Sequence, residues 1–227
     1  MSKRILLAGA SGMMGQMLLQ LSLESSEVKE VTSIVRKPGT IKHPKLTEIV
    51  HADFLDFTGI EEAFENQDVC FFCIGVYTGQ VPPPEFHTIT VGYTKAFAET
   101  LRRKSSKTSF VFLSGQGADS SEKSRILFAR EKGIAENILI TLNFNQLCIV
   151  RPGYIYSSIP RKEPNFSYVV FRFFYQIGVR YLYPNIGLTS RKLAGAMFVA
   201  GMQKAPKQIM ENADLRKFDE NRMSFSS

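Results

Sequence analysis

KRILLAGASGMMGQM, running from Lys3 to Met17, is the stretch from which the fold follows. Ile5, Leu6, Leu7 and Ala8 form a short apolar run, as in a parallel strand covered on both faces. Gly9, Gly12 and Gly15 come next, spaced three apart. Met13, Met14, Met17, Leu18 and Leu21 then recur at helical spacing. The stretch therefore reads as a buried strand, a glycine-spaced turn and the first turns of a helix.

Such a turn has a definite chemistry. A helix N-terminus presents unpaired N–H groups and a partial positive charge. A pyrophosphate satisfies both if no side chain blocks its approach. Gly9 would make the tight turn, Gly12 would admit the phosphate, and Gly15 would let the helix pack on the strand. Ser11, Met13 and Met14 lie in the same turn and complete the group of candidate dinucleotide contacts. Spaced glycines alone are a weak signal. Their place directly after an apolar strand and at the head of an apolar-periodic helix makes them a strong one.

Working outward, further strands are expected at Val31 to Val35, Leu46 to Val50, Val69 to Ile74, Phe110 to Leu113 and Gln146 to Val150. Helices are expected around Gly59 to Asn66, from near Glu85, and from Ser124 to Leu142. Strict alternation from Lys3 to about Arg151 predicts an α/β fold, a Rossmann-type doubly wound parallel sheet. Ligands of such sheets bind at the carboxyl ends of the strands. Beyond Tyr154 the alternation stops. Residues 154–206, with their aromatic-rich segment and a helix from Ser190 to about Gln203, are expected to form a small C-terminal cap on a single domain of residues 1–227. The charged residues from Asp214 onward are expected to fray.

The 227 residues are 44% hydrophobic and 22% charged, enough for a core without disulfides. The net charge of +7 is scattered, with only short clusters such as Arg102-Arg103-Lys104, so neither nucleic acid nor membrane is expected as a partner. Cys70 and Cys73 spell C-x-x-C. They sit in an apolar strand, where residues three apart point to opposite faces, so they read as packing residues. With Cys148 they make an odd count that fits a reducing compartment. The apolar run Phe166 to Tyr183 contains Arg172, Gln176 and Arg180 and suits packing on protein. Met1 leads directly into the first strand, so a cytoplasmic location is expected. No His, Cys, Asp or Glu cluster has metal-ligand spacing, and no metal is expected.

At the end of the second strand, NAD-preferring sites place an acidic residue and NADP-preferring ones an arginine. Arg36 and Lys37 stand there, so NADP is expected over NAD. Asp53 and Phe54, after the third strand, are candidates for the adenine, Asp53 having a turn role as its plain alternative. Gly75 closes the fourth strand, where a glycine lets backbone approach the adenine ribose.

Taken together, these pieces resemble the atypical branch of the short-chain dehydrogenase/reductase superfamily, and most nearly its NmrA-like and Tat-interacting oxidoreductase-like members. The matching residues are GASGMMG at Gly9 to Gly15, Arg36, CIG at Cys73 to Gly75, and FLSGQGAD at Phe112 to Asp119. The helix bearing Lys132 and RPG at Arg151 to Gly153 match as well. The resemblance implies cofactor contacts from Cys73, Lys132, Pro152 and Gly153. It also implies Ser114 as the serine that orients substrate, and a Tyr-x-x-x-Lys pair on the following helix. In that pair the tyrosine is the general acid and the lysine holds the nicotinamide ribose.

Here the pair reads Phe128-Ala129-Arg130-Glu131-Lys132, so the lysine is kept and the tyrosine is replaced. Tyr77, Tyr154, Tyr156, His87 or Ser114 through water are the candidates to supply a proton instead. Two readings follow. One is an NADP-dependent oxidoreductase acting on a small molecule that the sequence does not name, with Ser114 and Lys132 in catalytic roles. The other is a non-catalytic NADP-binding sensor or scaffold with a protein partner.

Overall fold

The structure of the chain, a computed structural model, describes residues 2–156 and 187–217. Its centre is a seven-stranded parallel sheet. The strands are β1 (Lys3–Ala8), β2 (Val28–Val35), β3 (Leu46–Val50), β4 (Val69–Phe72), β5 (Ser109–Leu113), β6 (Gln146–Arg151) and β9 (Ile209–Glu211). Their order is β3-β2-β1-β4-β5-β6-β9. The chain thus starts at β1, winds outward through β2 and β3, and returns to build the other half from β4. That reversal beside β1 puts the topological switch point between β1 and β4, where such sheets bind ligands. A separate parallel pair joins β7 (Tyr154–Tyr156) to β8 (Gly187–Thr189).

Successive residues of each strand feed opposite faces. Ile5, Leu7, Val69 and Phe71 enter one core with α1 (Met13–Glu24) and α5 (Ser190–Met202). Leu6, Ala8, Cys70 and Phe72 enter the other, under α3 (Tyr93–Lys104) and α4 (Leu127–Thr141). The second core is built from phenylalanines: Phe64 and Phe97 meet edge to face at 4.9 Å, and Phe72 and Phe97 at 5.1 Å. Between β4 and α3 lies α2 (Pro83–His87), followed by a π-helical segment Thr88–Gly92. Cys70 and Cys73 do divide between the two faces, and all three cysteines are free.

The main correction concerns the cap. The helix expected there, α5, has eleven buried residues and lies against α1 and the sheet. It is a layer of the sheet sandwich, and it leads into β9, a three-residue strand too short to show a pattern in sequence. Among the described residues of the expected cap, the β7–β8 pair forms a sheet of its own, with Leu188 reaching into the core. The aromatic segment lies outside the described residues. A second correction concerns Asp214, which takes part in a capping box at the head of α6 (Asn212–Arg216) where fraying was expected. The helix expected at Gly59 to Asn66 is a 3-10 helix, Thr58–Phe64.

Candidate functional site

The glycine turn ends in Gly12, which caps α1 with no side chain of its own. Gly9 has φ +92°, a left-handed conformation that favours glycine, and a Cβ there would lie 2.8 Å from the Cys73 carbonyl carbon. A Cβ on Gly15 would collide with the Gly9 carbonyl oxygen and the Ala10 Cα. Both glycines are therefore required for β1, the turn and α1 to approach so closely. The first turn of α1 carries no acidic residue, so its partial positive charge is unopposed.

Two adjoining pockets open at the carboxyl edge of the sheet and share Gly12, Cys73, Ile74, Gly75 and Val76. The smaller, about 120 Å³, runs from Gly9, Ala10 and Ser11 to Arg36, with Phe54 and Tyr93 in its walls. No carboxylate lines it among the described residues. The larger, about 610 Å³, is lined by Met13, Met14, Ser114, Gly115, Phe128, Lys132, Pro152 and Gly153, and by Tyr77 and Tyr154 among others. A dinucleotide has two such halves, and the structure brings nearly all the sequence-selected residues to them. Gly15, Lys37 and Asp53 are the exceptions, all outside the two linings. Gly15 packs against the turn, Lys37 and Asp53 are exposed, and Asp53 accepts the Leu55 N–H at 2.9 Å, which is the turn role. Phe54 is 2% exposed and edge-on to Phe57, so it serves wall and core together.

Helix α4 presents Phe128, Lys132 and Glu136 at intervals of four, one face of a helix. Lys132 is 7% exposed, donates from Nζ to the Leu113 carbonyl at 3.1 Å, and lies 4.9 Å from the centre of the Phe112 ring. Burial brings its ammonium down to about 8, against the opposing pull of Glu136 and Cys73. The unfolded chain holds this proton to a higher pH than the folded one. The Lys132 contribution to stability should thus rise with pH from about 8 toward 10.5, by on the order of 3 kcal/mol across the window, against an opposite trend from the buried cysteines, whose thiols are held protonated. In Lys132→Met that rise should be missing, and urea titrations of both proteins at pH 7 and pH 10 measure the difference.

Ser114 lines the large pocket, but its hydroxyl proton goes to Glu136, a carboxylate with no exposure. Bound this way, the hydroxyl has no second proton to donate to a substrate oxygen. Glu136 also accepts from Arg151 Nε at 3.0 and 3.2 Å and from Nη2. Arg151 reaches on to Glu211 at 3.0 Å and to the Ser120 hydroxyl at 3.1 Å. Sequence reasoning missed Glu136, although its spacing from Lys132 was a usable signal. The residue beside Ser114 faces the pocket instead: a Cβ on Gly115 would run into the Phe128 ring. Of the proton-donor candidates, His87 is held elsewhere, its Nδ1 2.6 Å from buried Glu131. Tyr77 and Tyr154 line the pocket, while Tyr156 is outside its lining.

The chain is similar to known proteins in sequence and in fold. A family model described as NAD(P)H-binding spans residues 9–168. Protein HTATIP2 of Rattus norvegicus is 30% identical over 166 residues, covering 72% of this chain and 67% of its own length. Protein FMP52-2, mitochondrial, of Scheffersomyces stipitis is 28% identical over 149 residues, covering 65% and 64%. Among solved structures, a reductase engineered to attenuate substrate inhibition superposes with TM-score 0.70 at 14% identity, over 95% of this chain and 82% of that one. Bordetella bronchiseptica WbmF in complex with NAD+ gives 0.68 at 13%, over 94% and 76%. At those identities the structures establish the fold. No helix among the described residues is long and apolar enough to cross a membrane, and no group of metal-ligating side chains forms among them.

Proposed function

The chain belongs to the NAD(P)H-binding family, in the atypical short-chain dehydrogenase/reductase class, and we propose that it is an NADP-dependent oxidoreductase that works without the usual tyrosine. One observation carries this reading: Lys132 lies in a pocket continuous with the glycine turn, on the same helix face as Phe128. The pyrophosphate would lie at the head of α1, over Gly12 and the N–H groups beyond it. The adenosine half would occupy the smaller pocket and the nicotinamide half the larger. When bound, the dinucleotide supplies hydride chemistry. Lys132 holds the ribose beside it, and Pro152 and Gly153 form the facing wall. Arg36 is the cation for the 2′-phosphate, supported by its place in the smaller pocket and by the lack of a carboxylate there.

Phe128 stands where a reductase of this kind presents its tyrosine hydroxyl, with Gly115 packed against the ring. The wall beside Lys132 is apolar, and general acid catalysis from it is worth nothing here; a positioned acid elsewhere contributes roughly 10²–10⁴-fold. The proposed chemistry accordingly suits substrates whose charge is stabilised otherwise. A second reading, a dinucleotide-responsive sensor or scaffold, is favoured by the Ser114 hydroxyl being taken up by Glu136. A carbonyl panel assayed with native protein and Phe128→Tyr separates the two. Native turnover supports the oxidoreductase; turnover in the variant alone supports the sensor. A cytoplasmic location stays part of the proposal, supported by three free cysteines, and marker fractionation against mitochondria checks it.

Cofactor choice has its own test. In Arg36→Glu the preference for NADPH over NADH should fall by at least about tenfold, since a carboxylate would then face the phosphate. Fluorescence titration with both reduced dinucleotides reads this. Unchanged relative affinities would remove Arg36 from the cofactor site.

A further inference from the structure

Glu136 is the most buried carboxylate near the pocket, yet the pocket does not touch it. It lies one helical turn beyond Lys132 on α4. It takes the hydroxyl proton of Ser114, the residue after the carbonyl that Lys132 Nζ binds. It also takes Arg151, the residue before the Pro152–Gly153 wall. One buried carboxylate therefore reaches the ends of β5 and β6 and sits on the helix that carries the lysine.

We propose that Glu136 is the positioning residue of the dinucleotide site: its negative charge keeps Lys132 an ammonium, and its bonds to Ser114 and Arg151 hold the two strand ends that flank the nicotinamide half. The inference rests on the NADP-binding reading and adds to it a residue that acts without touching the cofactor.

Among the described residues, the groups that face the pair come from α4, β4, β6 and β9. Lys132 faces Glu136 along α4 and the Cys73 thiol from the end of β4. Burial pushes that thiol up to about 12, so it stays neutral. Glu136 faces Arg151 from β6, and Arg151 in turn meets Glu211 from β9. Glu136 is thus the group whose charge offsets the burial of Lys132 at neutral pH. A residue acting only through packing would leave the lysine titration where it is, and this difference gives the test.

Glu136→Gln keeps the shape and the hydrogen-bond acceptor and removes the charge. In ligand-free protein, Lys132 is followed by NMR through its Cε–Hε resonance, identified by its loss in Lys132→Met. The titration should move to lower pH in Glu136→Gln. Correspondingly, the variant should bind NADPH about tenfold more weakly than native protein at pH 8, the gap closing toward pH 6. Ser114→Ala breaks one bond and leaves the charge, so its Lys132 titration should not move downward. It serves as the decisive variant if Glu136→Gln does not fold. A Lys132 titration unmoved in Glu136→Gln, or lowered in Ser114→Ala, would overturn the inference. Failure of native protein to bind NADPH at any pH would instead remove the function reading on which it rests.

Discussion

Valine in place of Gly15 is expected to abolish dinucleotide binding and to lower stability by about 3 kcal/mol. A side chain there has no space, because the Gly9 carbonyl oxygen and the Ala10 Cα already occupy the site of a Cβ. Both obstacles are backbone, so no rotamer change relieves them. Helix α1 would have to move off β1, taking the N–H groups of its first turn with it. It would also disturb Met14, Leu18 and Leu19, which are buried against the sheet. The binding loss should exceed the stability loss in consequence, since a misplaced anion site loses several aligned donors together. Chemical denaturation and NADPH fluorescence titration of the same preparation separate the two effects. A well-folded Gly15→Val that binds normally would show that α1 does not meet the phosphates.

The second large effect is expected at Arg151. In Arg151→Met, Glu136 loses the guanidinium and remains a carboxylate with no exposure, held only by Ser114. Breaking a buried pair from one side costs about 3–5 kcal/mol, mostly the penalty of the charge left behind. The double variant Glu136→Leu/Arg151→Met removes that charge and should recover part of the loss in urea denaturation, most fully above pH 8, where Lys132 needs no counter-charge. Arg151 also binds Glu211, whose carboxylate is about half exposed, and that outer pair should contribute little. A single variant as stable as the native protein would mean that water reaches Glu136.

What the sequence made legible and what it did not have physical causes. The glycine turn was readable because close backbone approach leaves one residue type possible at Gly9 and Gly15. The parallel sheet was readable because strands covered on both faces must be apolar throughout, as VCFF in β4 is. The place of α5 was not readable. A helix buried on nearly every residue has the same composition whether it lies on a sheet or under a cap. Strand β9 has three residues, too few for a period. Within the site, residue type located Ser114 and Lys132 but not the direction of their side chains. Neighbouring residues at a strand end diverge, so Ser114 goes to Glu136 while position 115 faces Phe128. Lys37 and Asp53 adjoin Arg36 and Phe54 in sequence, but both are exposed and lie outside the two pocket linings.

The pieces form one chain of causes. A glycine turn opens an anion site at the switch point of the sheet. In the proposed function Arg36 gives that site a cation at one end, and Lys132 gives it one at the other. Phe128 and Gly115 make the wall beside the lysine apolar, which under the proposed function would restrict what a bound dinucleotide could reduce. Everything in this account depends on the dinucleotide binding across both pockets.

Calorimetric titration of the native protein with NADPH and with NADH tests that dependence most directly. Saturable one-to-one binding of both is expected, with NADPH the tighter by at least about tenfold, or roughly 1.4 kcal/mol. Absence of binding by either dinucleotide would contradict it, beginning with the reading of Lys3 to Met17.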